Sequence, residues 1–349
     1  MNLDDIFLSS ESLRREFEKG LQKLLNETSL GSYILVLANA LFDEKIFKSL
    51  QHPLQEKFKL NQQHYTRSLR LGKQLHDAPD DMLVFLKLIA IGFENLNTTE
   101  YRQLEDWELQ FNQLRSLRPQ RMSGASISHL SQKFDDSAFH FNKPFLDKEV
   151  FWAGELDGRP VKLLYNKFPF ATLHGLLVPE PEKELPQFLT RETHYFISSI
   201  CSLLGETIPD IAIAYNGYGA GASINHLHFQ TFITQRRLPV LADQWQHNGG
   251  TKPYPTDCLI FEDSDEAWQY INDLNHKNIT YNLLYLPGRL ACLPRKYQGS
   301  FPIPAWTENF AWYELCGGVT TFNKEDFLQL DDDSIAESLA RLKNEQVVS

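Results

Sequence analysis

The spacing of the apolar residues changes partway along this chain. From residue 1 to about residue 105, glycine and proline are sparse and the apolar residues recur at helical spacing. From about residue 135 onward, the sequence consists of short β-rich runs separated by turn signals. This pattern predicts a helical N-terminal segment followed by a region built mainly from strands.

The strand-rich region contains two similar successions of elements. Residues 160–179 hold two β-rich runs around the turn "NKFPFAT", and a helix is predicted from Thr190 to about Leu204. A strand, a glycine-rich loop and another strand follow in 210–234. Residues 255–297 then predict a strand, a helix and a hairpin, which resemble a faint second copy of the first unit without its histidines.

The charge of the chain argues against two classes of partner. Its 349 residues carry a formal net charge of −11. Duplex nucleic acid and anionic membranes are therefore not expected as main partners, because affinity for both rests on clustered lysine and arginine. A small anionic substrate remains compatible with the sequence, since a few local basic groups can hold it against the global charge.

The cysteines and the apolar runs predict a cytoplasmic protein. Cys201, Cys258, Cys292 and Cys316 form no C-x-x-C pair, and their wide spacing matches neither a zinc pattern nor a compact disulfide framework. We therefore expect free thiols in a reducing compartment. The N-terminus is acidic where a signal peptide would be basic, and the longest apolar run is too short to cross a bilayer.

The string "GASINHLHFQTF" places His226, His228 and Gln230 at alternate positions. Alternate side chains of a strand share one face, so these three are expected on one surface. Leu227 and Phe229, which lie between them, are expected to face the core. Two imidazoles and one amide would then crowd a single polar site.

A glycine-rich loop precedes the histidines. Gly217, Gly219 and Gly221 allow backbone N–H groups to approach an anion closely, as in the anion-binding nests formed by turns. Asn216 and Ser223 add short polar side chains to the same loop.

Three interpretations of the histidines are open. They could be hydrogen-bonded residues on a polar strand face, or metal ligands, although a metal needs further ligands and glutamine is a poor one. They could also include a nucleophile that attacks phosphorus, which requires a fixed imidazole tautomer and donors for the phosphoryl oxygens. The glycine-rich loop and Gln230 supply such donors and favour this third interpretation. No metal or cofactor is expected for it.

An arginine-containing stretch precedes the strand-rich region. Arg115, Arg118 and Arg121 recur at every third position between residues 115 and 128. The stretch is either a solvated linker or a phosphate-binding loop, since the arginine fork matches phosphate oxygens.

The string "NGYGAGASINHLHFQTF" resembles the signature of the histidine-triad superfamily, in the transferase branch whose third histidine is glutamine. The "INHLHFQ" part is most similar to the GDP-L-galactose and GDP-D-glucose phosphorylases. Galactose-1-phosphate uridylyltransferases and diadenosine-tetraphosphate phosphorylases belong to the same branch. The strings "LRSLRP", "FDDSAFHFNK", "HGLLVP", "NITYNLLYLPGRLACLPRKY" and "WYELCGGVTTFNKEDF" are similar too, so the resemblance covers about 110–343. The turn "YNKFPF" departs from the GDP-hexose enzymes and is closer to the other two groups, which leaves the base open.

The resemblance implies a role for each matched residue. His228 matches the histidine that attacks the α-phosphorus, and His226 matches one that orients it and shapes the phosphate pocket. Gln230 matches the glutamine that hydrogen-bonds the phosphoryl oxygens. The other matches are phosphate contacts from Asn216, Gly221 and Ser223, a contact near the ribose from Asn166, a supporting role or a core position for His174, and acceptor binding by Arg118 or Arg121.

The fold implied by the resemblance is α+β, an antiparallel histidine-triad-like sheet with two pseudo-repeats and an N-terminal helical segment. We expect the helical segment at 1–105, the catalytic half at 106–240 and a degenerate half at 241–349. The implied activity is nucleotidyl transfer from a nucleoside diphosphate sugar, with GDP-hexose favoured, to inorganic phosphate or a sugar phosphate. A homodimer is left open. The alternatives are a dinucleoside polyphosphate phosphorylase or ATP adenylyltransferase, and a non-catalytic nucleotide-binding protein.

Overall fold

The computed structural model describes residues 4–118 and 127–347. Its helices are α1 (Ser10–Leu25), α2 (Leu30–Phe42), α3 (Glu44–Arg70), α4 (Pro79–Ile91), α5 (Gln113–Ser116), α6 (Arg191–Gly205), α7 (Ser264–His276), α8 (Trp312–Leu315), α9 (Lys324–Gln329) and α10 (Asp332–Ala340). Its strands are β1 (Glu100–Gln103), β2 (Glu108–Phe111), β3 (Val150–Leu156), β4 (Arg159–Tyr165), β5 (Thr172–Pro179), β6 (Ile211–Asn216), β7 (Phe229–Ile233), β8 (Leu259–Phe261), β9 (Thr280–Leu286), β10 (Arg289–Arg295) and β11 (Gly318–Thr321).

The strands form two sheets. The larger sheet has eight strands in the order β3-β4-β5-β7-β6-β9-β10-β8, and neighbouring strands in it are antiparallel throughout. The smaller sheet has the order β1-β2-β11, with β11 parallel to β2. Helices combined with a large antiparallel sheet confirm the predicted α+β class.

The larger sheet contains one succession of elements twice. The set β5, α6, β6 and β7 is followed by β8, α7, β9 and β10, and in each set the last strand pairs with both other strands. The two sets meet where β6 pairs with β9. The domain boundaries at 105 and 240 remain predictions.

The N-terminal helices pack around a buried one. α2 buries its residues on every side of the helix, and its N-terminus is capped by Ser29, whose side chain accepts from the Ser32 N–H. α1 begins with a capping box between Ser9 and Ser12. The Tyr165 hydroxyl of β4 donates to the carbonyl of Phe17 in α1, at 2.6 Å, and ties these helices to the larger sheet.

The two faces of the larger sheet have different neighbours. Helices α1, α6 and α7 pack against one face, and α6 begins at the residue after its cap, Thr190, as predicted. The strand register places Gln230, Leu176 and Ala214 on the opposite face. That face is covered by Phe141 from the segment before β3 and by α8. The candidate site lies on this second face.

Candidate active site

The two histidines lie immediately before β7. Because β7 begins at Phe229, only Gln230 of the three motif residues is a strand residue, and the expectation that all three lie on a strand is wrong. The pairing of β7 ends here because the segment 217–228 leaves the sheet to form the glycine-rich loop. Leu227 and Phe229 are nevertheless buried in the core on the helix-covered face, as the alternation predicts.

The His228 ring is held in one tautomer. Its Nδ1 lies 2.8 Å from the carbonyl oxygen of His226, and a carbonyl can only accept, so Nδ1 carries the proton. The Nε2 atom therefore carries the lone pair. Burial lowers the pKa of His228 to about 4, so the ring is neutral at physiological pH. A neutral imidazole with a fixed tautomer is what a nitrogen nucleophile requires.

A buried glutamine holds the backbone on either side of this ring. The Gln187 Oε1 atom accepts from the His228 N–H at 2.9 Å. Its Nε2 atom donates to the carbonyls of His228 at 3.1 Å and Asn216 at 2.8 Å. Gln187 thereby ties the loop that carries the histidines to the end of β6.

His226 forms part of an aromatic wall. Its Nδ1 accepts from the backbone N–H of Phe141 at 3.1 Å, and its ring lies 5.3 Å from Phe134 and 6.1 Å from His140 between centroids. The pKa of His226 is lowered to about 4, mainly by burial and to a lesser extent by the nearby His228, His140 and Lys162. The Phe141 ring also packs against His228 at 5.0 Å. The segment before β3 therefore forms one side of the site.

The Gln230 amide has a defined orientation. Its Oε1 atom lies 2.7 Å from the indole N–H of Trp312 and 3.0 Å from Nε2 of His174. The His174 Nδ1 atom accepts from the Phe170 N–H at 3.2 Å, so His174 Nε2 carries the proton and donates to Gln230. Burial lowers the pKa of His174 to about 3, which keeps this ring neutral. With its oxygen engaged twice, Gln230 is left with its amide nitrogen to offer a ligand.

Asn216, at the end of β6, is oriented in the same way. Its Oδ1 atom accepts from Asn282 Nδ2 at 2.6 Å and from the backbone N–H of Trp312 at 2.9 Å. Asn282 Nδ2 also donates to the Ala220 carbonyl at 2.7 Å, which fixes the orientation of that second amide. The amide nitrogen of Asn216 is consequently the end of this side chain that is left to donate to a ligand.

The glycine-rich loop uses conformations that suit glycine. Gly219 and Gly221 have φ angles of +83° and +94°. A Cβ atom at Gly221 would lie 3.1 Å from the Ala311 backbone, so the loop packs closely on the segment before α8. The Gly221 N–H donates to Gln298 Oε1 at 3.2 Å, and Ser223 is exposed. The phosphate contacts predicted for these two residues remain proposals.

Asn166 lies at the end of β4, next to His174. Its backbone N–H donates to the His174 carbonyl at 3.2 Å, and its Oδ1 accepts from the Phe168 N–H at 3.1 Å. Its Nδ2 lies 3.3 Å from His174 Nε2. Both of these nitrogens are donors, so their approach is a packing contact. Asn166 is thus beside the pair formed by His174 and Gln230, and its role near the ribose remains a proposal.

The structure gives less support to the arginines that were predicted to bind the acceptor phosphate. Arg118 forms an ion pair with Glu308 and lies over the Phe322 ring at 5.4 Å, so an acceptor phosphate would compete with a carboxylate for it. Arg121 lies outside the described residues. The neighbouring Arg115 donates to the Phe168 carbonyl at 2.6 Å, which is a structural role.

Sequence reasoning missed the residues that orient the motif. Gln187 belongs to no recognisable sequence motif, because it lies in an irregular segment without the periodic spacing of a helix or strand. Trp312 belongs to the string "WYELCGGVTTF", which is similar to the family but contains no residue that the pattern marks as reactive. Across residues 4–118 and 127–347, no group of three or more His, Cys, Asp or Glu side chains is arranged to hold a metal ion.

Comparison with known proteins gives a consistent result. Residues 96–232 match the family model described as GDPGP1-like, N-terminal domain. The chain is 33% identical over 122 residues to GDP-D-glucose phosphorylase 1 of Danio rerio, covering 35% of each protein. It is 33% identical over 128 residues to the Homo sapiens GDP-D-glucose phosphorylase 1, covering 35% of this chain and 33% of that protein.

A longer match extends further along the chain. It is 26% identical over 273 residues to GDP-L-galactose phosphorylase 1 of Arabidopsis thaliana, covering 66% of this chain and 61% of that protein. The matched part thus spans about a third of the length of the two animal relatives and less than two thirds of the plant one.

The fold is shared with a solved structure. The crystal structure of yeast Ap4A phosphorylase Apa2 superposes with a TM-score of 0.50 at 18% sequence identity, covering 78% of this chain and 98% of that one. At this identity the match bears on architecture alone. The sequence matches show that the chain is similar to the GDP-D-glucose and GDP-L-galactose phosphorylases over part of its length, and the structural match shows that it shares the fold of yeast Ap4A phosphorylase Apa2.

Proposed function

We propose that this chain is a nucleotidyltransferase that cleaves a nucleoside diphosphate sugar, with GDP-hexose favoured, through a nucleotide bound covalently to His228. The observation that carries the proposal is the hydrogen bond from His228 Nδ1 to the His226 carbonyl. It leaves a neutral ring whose Nε2 lone pair is its nucleophilic position. The names of the relatives supply the substrate class.

The reaction is a double displacement. Nε2 of His228 attacks the α-phosphorus, the N–P bond forms, and the bond to the bridging oxygen breaks so that sugar 1-phosphate leaves with the electron pair. An oxygen of inorganic phosphate then attacks the same phosphorus, and the N–P bond breaks to release a nucleoside diphosphate and neutral His228. The sugar phosphate leaves without needing a proton donor, so glutamine suffices at the third motif position.

The remaining residues position the substrate and stabilise charge. The amide nitrogens of Gln230 and Asn216, the Ser223 side chain and N–H groups of the glycine-rich loop would hold the non-bridging phosphoryl oxygens as charge redistributes. A contact from the Gly221 N–H would require release of Gln298. Asn166 would contact the ribose, while His174 acts on the site through Gln230. Binding of the acceptor phosphate by Arg118 would require release of Glu308.

A dinucleoside polyphosphate phosphorylase, or the related ATP adenylyltransferase, is the alternative activity. It would use the same covalent chemistry, and the sequence feature that favours it is the turn "YNKFPF". In the structure Lys167 of this turn is held by Asp81 of α4 at 2.5 Å, so the N-terminal helices also position the turn. A non-catalytic nucleotide-binding protein is the alternative from another class.

A phosphorolysis screen distinguishes these functions. GDP-, UDP- and ADP-sugars and dinucleoside polyphosphates would each be incubated with inorganic phosphate and either the wild-type protein or His228→Ala. We expect release of sugar 1-phosphate from a nucleotide sugar by the wild type alone. Turnover confined to dinucleoside polyphosphates would establish the alternative enzyme, and nucleotide binding without turnover would establish the non-catalytic function.

The cytoplasmic location and a homodimeric state also remain proposals. The location rests on the unpaired cysteines, all four of which are free in the structure. Within the described ranges, the helices are too short or too polar to cross a membrane.

A further inference from the structure

Trp312 connects the C-terminal part of the chain to the candidate site. It opens α8 and lies outside the segment 96–232 that matches the family domain. Its side chain is fully buried, and its ring stacks on Phe232 of β7 at 4.5 Å between centroids and 20° between planes. The carboxylate of Glu314 accepts from the Ala311 N–H at 3.0 Å and fixes the start of α8.

Both N–H groups of Trp312 donate hydrogen bonds to side-chain amide oxygens. The indole N–H donates to Gln230 Oε1 at 2.7 Å, and the backbone N–H donates to Asn216 Oδ1 at 2.9 Å. Each amide oxygen has one further donor, His174 for Gln230 and Asn282 for Asn216. Trp312 is the residue that the two arrangements share.

The orientation of these amides decides what a phosphate encounters. A side-chain amide presents either an acceptor oxygen or an NH2 donor, and the two ends are similar in size. A phosphoryl oxygen is negatively charged and accepts hydrogen bonds, so it is bound by the NH2 end and repelled by the oxygen. Anchoring both oxygens turns both NH2 groups toward the ligand.

We propose that Trp312 is a positioning residue that sets the polarity of Gln230 and Asn216, so that these two amides present only N–H donors to the nucleotide phosphate. The inference rests on the proposed function in taking a nucleotide as the ligand. It also makes the C-terminal segment part of the site, although the residues proposed to contact the nucleotide come from 166–230.

The test uses Trp312→Phe, which keeps an aromatic ring against Phe232 and removes the indole N–H. GDP affinity, measured by calorimetry at equilibrium, should fall about three- to tenfold, the effect expected for one hydrogen bond. The matched control is Trp306→Phe, because Trp306 is also buried and packs on Phe310 but touches neither amide. This control should bind GDP as the wild type does.

A double-mutant cycle separates orientation from general destabilisation. Trp312→Phe should weaken GDP binding in the wild-type background and have little further effect in Gln230→Ala, because the amide that the indole N–H orients is gone, whereas the backbone N–H that orients Asn216 is kept throughout. An equal loss in both backgrounds, or wild-type affinity in Trp312→Phe, would overturn the proposal.

A second variant covers the case in which Trp312→Phe does not fold. Gln230→Glu still accepts from Trp312 and His174 but presents an oxygen in place of NH2, so it should bind GDP more weakly than Gln230→Ala. Equal binding by these two variants would contradict the inferred polarity. Wild-type protein that binds GDP but forms no adduct would refute the proposed function and leave this inference standing, whereas absence of nucleotide binding would overturn both.

Discussion

The two successions of strands in the larger sheet have the same pairing but different connections. β6 and β7 are joined by the segment 217–228, whereas β9 and β10 are joined by the two residues Pro287 and Gly288. The short turn closes a hairpin. The long connection leaves the sheet and carries both histidines, so the position of the histidines follows from the length of this connection and not from the strand pairing.

The two connections also satisfy their backbone groups differently. In the short turn, strand pairing continues up to Leu286 and Arg289, and Gly288 supplies the positive φ that such a turn requires. In the long connection, side chains take the place of a strand partner, as when Gln187 accepts from His228 and Gln298 accepts from Gly221. Polar residues elsewhere in the chain therefore fix the shape of the long loop.

The largest expected effect comes from removing His228, the proposed nucleophile, from the long connection. His228→Ala should form no covalent nucleotide, while GDP binding persists because the amide donors remain. Pro287→Ala changes the short connection and should form the adduct at the wild-type rate. Radiolabelled nucleotide sugar and denaturing gels measure both, and an adduct that persists in His228→Ala would place the nucleophile elsewhere.

Gln230 should have a large but incomplete effect. Gln230→Ala removes one proposed donor to the phosphoryl oxygens and should slow adduct formation about a hundredfold to a thousandfold. The adduct should still accumulate, since Nε2 of His228 is unchanged. Rapid-quench kinetics would show this, whereas a complete loss of adduct would mean that Gln230 takes part in bond formation.

Gln187 should contribute to stability through its hydrogen bonds to the long connection. Gln187→Ala leaves buried backbone groups without partners and should lower the free energy of unfolding by about 1–3 kcal/mol. Gln329→Ala, on an exposed helix turn, is the matched control and should change it little. Urea unfolding measures both, and equal stability of the two variants would show that the loop does not depend on this anchor.

The smallest expected effect is that of pH on the chemical step. Burial holds the pKa of His228 at about 4, below the ordinary value near 6.5, so adduct formation should change little between about pH 8 and pH 5. Single-turnover labelling avoids titration of the acceptor phosphate. A fall in rate centred near pH 6.5 would mean that the ring is solvated.

The same pKa shifts affect stability. The unfolded chain binds protons at His174, His226 and His228 from about pH 6.5 downward, whereas the folded state holds these pKa values at about 3, 4 and 4. The unfolded state therefore binds more protons in this window, and the free energy of unfolding should fall as the pH falls from about 6.5 toward 4. Urea titrations across the window measure the slope.

The sequence predicts secondary structure that depends on neighbouring residues, but it does not predict hydrogen-bond partners that are far apart along the chain. The helix expected from Thr190 to about Leu204 is α6 (Arg191–Gly205), because caps and spacing lie within the element itself. The partners of the motif do not: Gln187 lies 41 positions from His228, and Trp312 lies 82 positions from Gln230. Only packing of the sheet against α8 and the loops brings such residues together, and no spacing along the chain encodes it.

Arg118 is a residue whose sequence features suggest a function that its partner in the fold makes less accessible. Its spacing and charge favour phosphate binding, but the fold brings Glu308 to it from 190 positions away. The start of β7 is likewise decided by tertiary structure. The alternating pattern of side chains begins before Phe229, but strand pairing begins only at Phe229, because the preceding loop lies outside the sheet.

The proposed function depends most directly on a covalent bond between Nε2 of His228 and the nucleotide. Wild-type protein would be labelled with α-³²P nucleotide sugar, digested and mapped by mass spectrometry, with parallel acid and alkali treatment. We expect one labelled peptide containing His228, with a label that is lost in acid and stable in base, as a phosphoramidate is. A label on another residue, or one that resists acid, would contradict it.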